Sequence, residues 1–314
     1  MKLVVIEPLG VKQTSLDEII ESRFADKIET TFYNTKATSD EELIERGKDA
    51  DIIIVANQPL NSNVINGFKK LKMLSIAFTG TDHVDLKTCQ DNNVIVCNSA
   101  GYSTASVADL VFGLLICFYR NIISCNKFVR EGKTKDGLVG FELEGKKFGI
   151  IGTGAIGLKV AQIAKAFDCE VYAYSRTKKD IAGITYTDLD TLLSTCDIIS
   201  LHVPLTESTN NLINKDKLDL MKKEAVLINT ARGPIVNSND LSEALKNKKI
   251  RAALIDVFDK EPPLKVDNIL LNTPNIIATP HIGFASKESL EKRAVIVFDN
   301  VKNWLEGKPQ NLVK

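Results

Sequence analysis

The chain has 314 residues, 44% of them hydrophobic and 25% charged, and 40 Lys plus Arg balance 40 Asp plus Glu. At about one domain per 150 residues, this length suggests two globular domains and excludes a disordered chain. With zero net charge there is no basic excess of the kind nucleic acid or an anionic membrane surface requires, so neither partner is expected. Histidine occurs only at His83, His202 and His281, which shortens any search for a histidine acid.

Six cysteines, at 89, 97, 117, 125, 169 and 196, form no CxxC pair and no cluster with histidine. No metal site is expected, and a chain this long buries enough core without disulfides. Reduced cysteines and a cytosolic location are the corresponding expectations. The start, MKLVVIEPLG, has too short an apolar run for a signal peptide. The apolar stretch 107–123 is interrupted by Asp109 and Arg120. It reads as a buried helix rather than a membrane span, which needs about twenty apolar residues.

In chain order, 2–6 (KLVVI) predicts a buried strand, 14–23 a helix, 28–33 a weaker strand and 40–47 a second helix. The run 51–56 (DIIIVA) is too continuously apolar to alternate, as buried parallel strands are. A helix at 61–69 and strands at 72–77 and 94–96 complete a first βαβ series. The apolar helix and a polar, glycine-rich stretch at 131–145 lead into a second series. It has six predicted strands, at 148–151, 170–174, 197–203, 225–229, 251–257 and 275–278. Helices start near Ala155, Asp188, Lys215 and Asn239, and a final helix at 286–305 has no strand after it. Alternating strands and helices imply doubly wound parallel sheets.

The turn Gly152-Thr153-Gly154-Ala155-Ile156-Gly157 follows a strand and opens a helix. In that context GxGxxG has a mechanism. Gly152 makes the tight turn, Gly154 lets backbone approach a pyrophosphate, Gly157 permits close helix packing, and the helix N-terminus faces the negative charge. An acid about twenty residues on normally holds the ribose 2′-hydroxyl of NAD. Here the strand ends in Ser175-Arg176-Thr177-Lys178-Lys179, with no carboxylate. An arginine at this place suits a 2′-phosphate, so NADP(H) is expected in preference to NAD(H).

Three later strand ends deliver Arg232, Glu261 and His281 to one sheet edge. Reduction of a 2-oxo acid needs a cation for the carboxylate, a proton donor for the ketone oxygen, and an anion that favours the donor's charged form. These three residues meet that need. His202, in LHVPLT, is the rival histidine, with the lining of the cofactor groove beside Val203 and Pro204 as its expected place. His83 reads as a turn residue.

The motifs GTGAIG, LHVPLT, LINTARGPIV, LIDVFDKEP and ATPHIG, with LKMLSIAFTGTDHVDL in the first domain, closely resemble the D-isomer-specific 2-hydroxyacid dehydrogenases over essentially the whole chain. The resemblance implies that Arg232 binds the substrate carboxylate, that His281 is the acid/base and that Glu261 is its partner. It further implies Thr79 and Gly80 amides at the other end of the substrate, Asp256 at the nicotinamide amide, Val107 packed on the nicotinamide, and Thr230, Ala231 and Gly283 along the cofactor. The implied fold is α/β, a Rossmann-type cofactor domain (101–284) inserted into a smaller flavodoxin-like substrate domain (1–100 plus 285–314). Homodimerisation is the family habit.

The wording GYSTASVADL is nearer the glycerate dehydrogenase and hydroxypyruvate reductase branch, pointing to glyoxylate, hydroxypyruvate or pyruvate as the kind of substrate. A phosphoglycerate dehydrogenase would need cations for the phosphate, whereas VANQPL offers Asn57 and Gln58 without Lys or Arg. A formate dehydrogenase carries glutamine in place of Glu261. A dinucleotide-sensing corepressor keeps the three catalytic residues, and only turnover separates it from an enzyme.

Overall fold

The computed structural model describes residues 1–24, 28–261 and 263–313. The chain divides into two compact units, 1–103 with 285–314 and 104–284.

The first unit begins β1 (Lys2–Val5), α1 (Gln13–Phe24), β2 (Glu29–Phe32), α2 (Asp40–Gly47) and β3 (Ile52–Val55). It continues with α3 (Ser62–Gly67), β4 (Met73–Ile76), α4 (Leu86–Asp91) and β5 (Ile95–Cys97). The strands form one parallel sheet in the order β2-β1-β3-β4-β5, the flavodoxin-like order. Ile52–Val55 is buried throughout, as a central parallel strand must be.

The second unit opens with α5 (Thr104–Tyr119) and α6 (Ile122–Arg130). The expected single helix through residue 123 is broken. Asn121 adopts a left-handed φ of 51°, which asparagine tolerates better than most residues, and the two helices meet at a 54° bend. No single helix among the described residues is long and apolar enough to cross a membrane. Then follow β6 (Lys147–Ile151), α7 (Ala155–Ala166), β7 (Glu170–Tyr174), β8 (Ile184–Tyr186), α8 (Leu189–Thr195) and β9 (Ile198–Leu201). The remainder of the unit is α9 (Lys215–Leu220), β10 (Val226–Asn229), α10 (Ser238–Lys246), β11 (Ala252–Ile255) and β12 (Ile276–Ala278). Its sheet is parallel with the order β12-β11-β10-β9-β6-β7-β8. It therefore has seven strands, not the six expected. The extra one, β8, is a three-residue edge strand paired to β7, too short and too polar to stand out by pattern.

The chain returns to the first unit as α11 (Lys287–Leu305), which explains a last helix without a following strand. Ala294, Val297, Phe298 and Val301 bury themselves with Leu3, Ile52 and Met73 on one face of the first sheet. Ser75 Oγ donates to Val297 O at 3.1 Å, and Asn300 Nδ2 to Asn98 O at 2.8 Å. The second sheet has an apolar layer on each face, and Phe112 of α5 stacks between Phe148 and Phe167 on one of them. All six cysteines are free.

Candidate active site

Because every strand of the second sheet is parallel, all its carboxyl ends lie on one edge, where doubly wound folds bind ligands. Every residue expected at the cofactor or the reaction, apart from Val107 on α5, follows a strand of this sheet. Gly152–Gly157 follow β6, Ser175–Thr177 follow β7, His202–Pro204 follow β9, and Thr230–Arg232 follow β10. Asp256 and Glu261 follow β11, and His281 and Gly283 follow β12.

The glycine turn is sterically compulsory. Gly152 has φ +101°, and a β-carbon there would lie 2.6 Å from His202 O; one on Gly157 would lie 2.0 Å from Gly152 O. Around Gly154 there is open space. Among the described residues, seven helices carry a side chain at their N-cap that accepts an amide of the first turn: Ser39, Asn61, Asp85, Asp188, Asn214, Asn237 and Ser286. Helix α7 starts at Gly154 with no such cap, so its first amides remain available to an anion. On the same sheet edge, Thr153 Oγ1 in this turn and Thr230 Oγ1 after β10 are buried with no hydrogen-bond partner among the described residues. Buried hydroxyls are normally paired. An uncapped helix start, an open glycine and two orphaned hydroxyls on one edge fit a dinucleotide.

After β7, Ser175 is half-buried and Arg176, Thr177, Lys178 and Lys179 are exposed. Lys179 Nζ donates to Thr153 O at 2.9 Å, bringing a cation onto the phosphate turn. Sequence reading missed this contact because Lys179 looked like one more residue of a solvated loop.

The residues expected at the reaction stand on the ends of β10, β11 and β12. Asn229 builds the first turn: its Nδ2 donates to Arg232 O at 2.9 Å and its Oδ1 accepts from Ala231 N at 3.1 Å. Arg232 Nη1 donates to Ala231 O at 2.8 Å. The next residue must be glycine, since a β-carbon on Gly233 would lie 2.0 Å from Phe258 C. That close approach brings the Arg232 turn against the segment leading to Glu261. His281 Nδ1 lies 2.9 Å from Glu261 Oε2, which leaves Nε2 as the ring atom directed away from the carboxylate. The imidazole stands edge-on to Phe284, centroids 5.7 Å apart, and its backbone is held at φ 56°, a left-handed conformation uncommon outside glycine in which histidine is enriched with asparagine and aspartate.

Asp256 accounts for that conformation. Its fully buried carboxylate accepts from Thr279 Oγ1 at 2.5 Å, Ile282 N at 2.8 Å and Gly283 N at 2.8 Å. All three donors flank His281, so the residue expected at the nicotinamide amide clamps the histidine turn. Gly283 is further fixed by Ser106 Oγ, which donates to its carbonyl at 2.7 Å, and Val107 packs beside it. Asp256→Asn replaces one acceptor with a donor facing donors, a mismatch of about 1–3 kcal/mol. We expect a lower melting temperature and a kcat reduced about tenfold or more. In a double variant with His281→Asn, the two kcat losses combine to less than their product, because both act through one side chain.

His202 is the weaker candidate for the acid. It lies against Ser200, whose Oγ is 2.9 Å from Nε2, and burial pushes its pKa down to about 3. Its carbonyl packs on Gly152, which puts it in the glycine groove. His83, in the first unit, accepts from Leu60 N at 2.8 Å through its carbonyl, as a turn residue does. The substrate-loop residues also lie in the first unit, Asn57 after β3 and Thr79 and Gly80 after β4. Asn98 Nδ2 donates to Thr79 O at 2.8 Å, fixing that turn.

A family model described as D-isomer specific 2-hydroxyacid dehydrogenase, NAD binding domain, matches residues 112–283. The chain is 37% identical over 285 residues to glyoxylate reductase of Thermococcus litoralis, covering 86% of each chain. To D-3-phosphoglycerate dehydrogenase of Methanocaldococcus jannaschii it is 38% identical over 274 residues, 85% of this chain and 52% of the relative. It thus spans about half the length of that protein. Among solved structures, an acyclic imino acid reductase in complex with NADPH and D-Arg superposes with a TM-score of 0.91 at 31% identity, covering both chains fully. The chain belongs to the D-isomer-specific 2-hydroxyacid dehydrogenase family.

Proposed function

We propose that the protein is an oxidoreductase that interconverts small 2-oxo acids of the glyoxylate, hydroxypyruvate or pyruvate kind with D-2-hydroxy acids, using NADPH in preference to NADH. The observation that carries this reading is the His281–Glu261 pair at 2.9 Å, on the two strand ends that follow the one bearing Arg232. In the reduction a 2-oxo acid, NADPH and a proton become a 2-hydroxy acid and NADP⁺. A reduced nicotinamide supplies the hydride to C2. Arg232 holds the carboxylate and orients the carbonyl, and His281 Nε2 gives its proton to the carbonyl oxygen. Glu261 holds Nδ1 and fixes the ring plane. The likeness to glyoxylate reductase supports the substrate class.

A cytosolic homodimer belongs to the same reading. Free cysteines throughout support the location, and exposed Ile122, Ile123 and Val129 on α6 support the dimer.

The cofactor preference rests on Ser175, Arg176 and Lys179, none of which repels a 2′-phosphate as a carboxylate would. An exposed charge-assisted pair gives the low end of its range, so we expect kcat/KM about tenfold higher with NADPH than with NADH. Arg176→Ala should bring the two cofactors close to parity. A steady-state screen of 2-oxo acids with both cofactors tests activity and preference together. An NADH-favouring wild type would reduce the basic turn to a solvated loop, and absence of turnover on every 2-oxo acid would favour a dinucleotide-sensing corepressor.

A further inference from the structure

Within the second unit, the turn that carries His281 is held from two sides. From the sheet, the Asp256 carboxylate accepts Thr279 Oγ1, Ile282 N and Gly283 N. From helix α5, Ser106 Oγ donates to Gly283 O at 2.7 Å. The two supports act on different bonds. Asp256 fixes the peptides that enter residues 282 and 283, whereas Ser106 fixes the next one, which joins Gly283 to Phe284.

Ser106 is the third residue of α5. A serine in a helix commonly turns its hydroxyl back to the carbonyl one turn earlier. This hydroxyl instead leaves its helix and reaches a carbonyl 177 residues further along the chain. The start of α5 also packs on the turn. A β-carbon on Gly283 would lie 3.0 Å from Asp256 Oδ2, 3.5 Å from Val107 Cγ2 and 3.6 Å from Leu110 Cδ2. The lack of a side chain at 283 lets the turn settle between the Asp256 carboxylate and α5.

The peptide that Ser106 holds carries Phe284. That ring meets the His281 imidazole edge-on, with centroids 5.7 Å apart and planes at 84°. Two groups therefore set the plane of the imidazole, Glu261 at Nδ1 and Phe284 at the ring. The Glu261 side chain is 44% exposed, and an exposed ion-pair partner restrains a ring weakly. Phe284 is placed by backbone, and that backbone is tied to α5.

We propose that Ser106 is a positioning residue for His281. By holding Gly283 O it places Phe284, and through Phe284 it sets the plane of the imidazole. Ser106 acts through these residues and is not itself catalytic. This rests on the reductase reading above, in which His281 Nε2 delivers the proton, and adds the residue that aims it.

The test separates aim from stability. Alanine favours a helix more than serine does, so Ser106→Ala should leave α5 intact. Loss of one hydrogen bond that orients the acid should lower kcat with glyoxylate about three- to tenfold. KM and the dissociation constant of NADPH should stay within twofold of wild type. Ser106→Thr keeps the hydroxyl and should restore most of kcat. Phe284→Leu should show a loss of similar size, and its combination with Ser106→Ala should lose less than the product of the two. In a His281→Asn background, where no imidazole remains to be aimed, Ser106→Ala should have no further effect on kcat. A kcat within twofold of wild type in Ser106→Ala, or an undiminished loss in the His281→Asn background, overturns the proposal.

A second readout needs no turnover. With only three histidines in the chain, magnetic resonance of the ¹⁵N-histidine-labelled protein resolves each imidazole. Ser106→Ala should shift the ring signals of His281 and leave those of His83 and His202 in place. A wild type that reduces no 2-oxo acid sinks the reductase reading alone, whereas unmoved His281 signals sink this one.

Discussion

His281→Asn should lower kcat about 10²- to 10⁴-fold, the usual worth of a positioned general acid, while leaving the dissociation constant of the cofactor nearly unchanged. Asparagine retains a polar side chain of similar reach and tolerates the left-handed backbone that residue 281 adopts at φ 56°. Loss of the proton donor is thereby separated from collapse of the turn. The Asp256 clamp on Thr279, Ile282 and Gly283 is untouched, so the fold around the site should persist and the melting temperature move little. Cofactor affinity, read by quenching or by energy transfer to bound nicotinamide, supplies the internal control. Near-normal kcat in the variant would overturn the assignment of His281 and move the acid role to His202, the rival histidine.

The parallel sheets, the glycine turn and the strand-end places of Arg232, Glu261 and His281 were legible because each is a local pattern whose place follows from a strand just before it. A residue that follows a parallel strand must appear on the ligand edge, whatever the rest of the chain does. What stayed hidden depends on side chains crossing between loops. Lys36 meets Asn57 across 21 residues and Lys179 meets Thr153 across 26, and neither pair has a spacing rule. Asp256 was legible as a strand-end acid. Its partners were not, since they become visible only when β12 lies beside β11. The break at Asn121 escaped for the opposite reason, as apolar residues continue through Ile122 and Ile123 while the backbone turns.

Arg232→Lys should lower kcat/KM with the 2-oxo acid about 10- to 100-fold, from loss of a charge-assisted bidentate pair. The affinity for cofactor should be nearly unaffected. The charge is retained, so the effect isolates the fork: a lysine ammonium is a point charge that meets one carboxylate oxygen well and sets no plane. Holding that plane matters here because the arginine is fixed on both sides. Its carbonyl is tied by Asn229, and Gly233 beside it is pressed to the backbone of Phe258, so the turn does not shift to bring a shorter, narrower group into register. A carboxylate held at one oxygen rotates, and the carbonyl rotates with it, away from the line of His281 Nε2. We therefore expect KM to rise and kcat to fall together, since orientation as well as binding is lost. Steady-state kinetics with glyoxylate at saturating NADPH checks this. A variant weakened only toward the cofactor, with substrate constants preserved, would make Arg232 a cofactor ligand and leave the substrate carboxylate to the first unit.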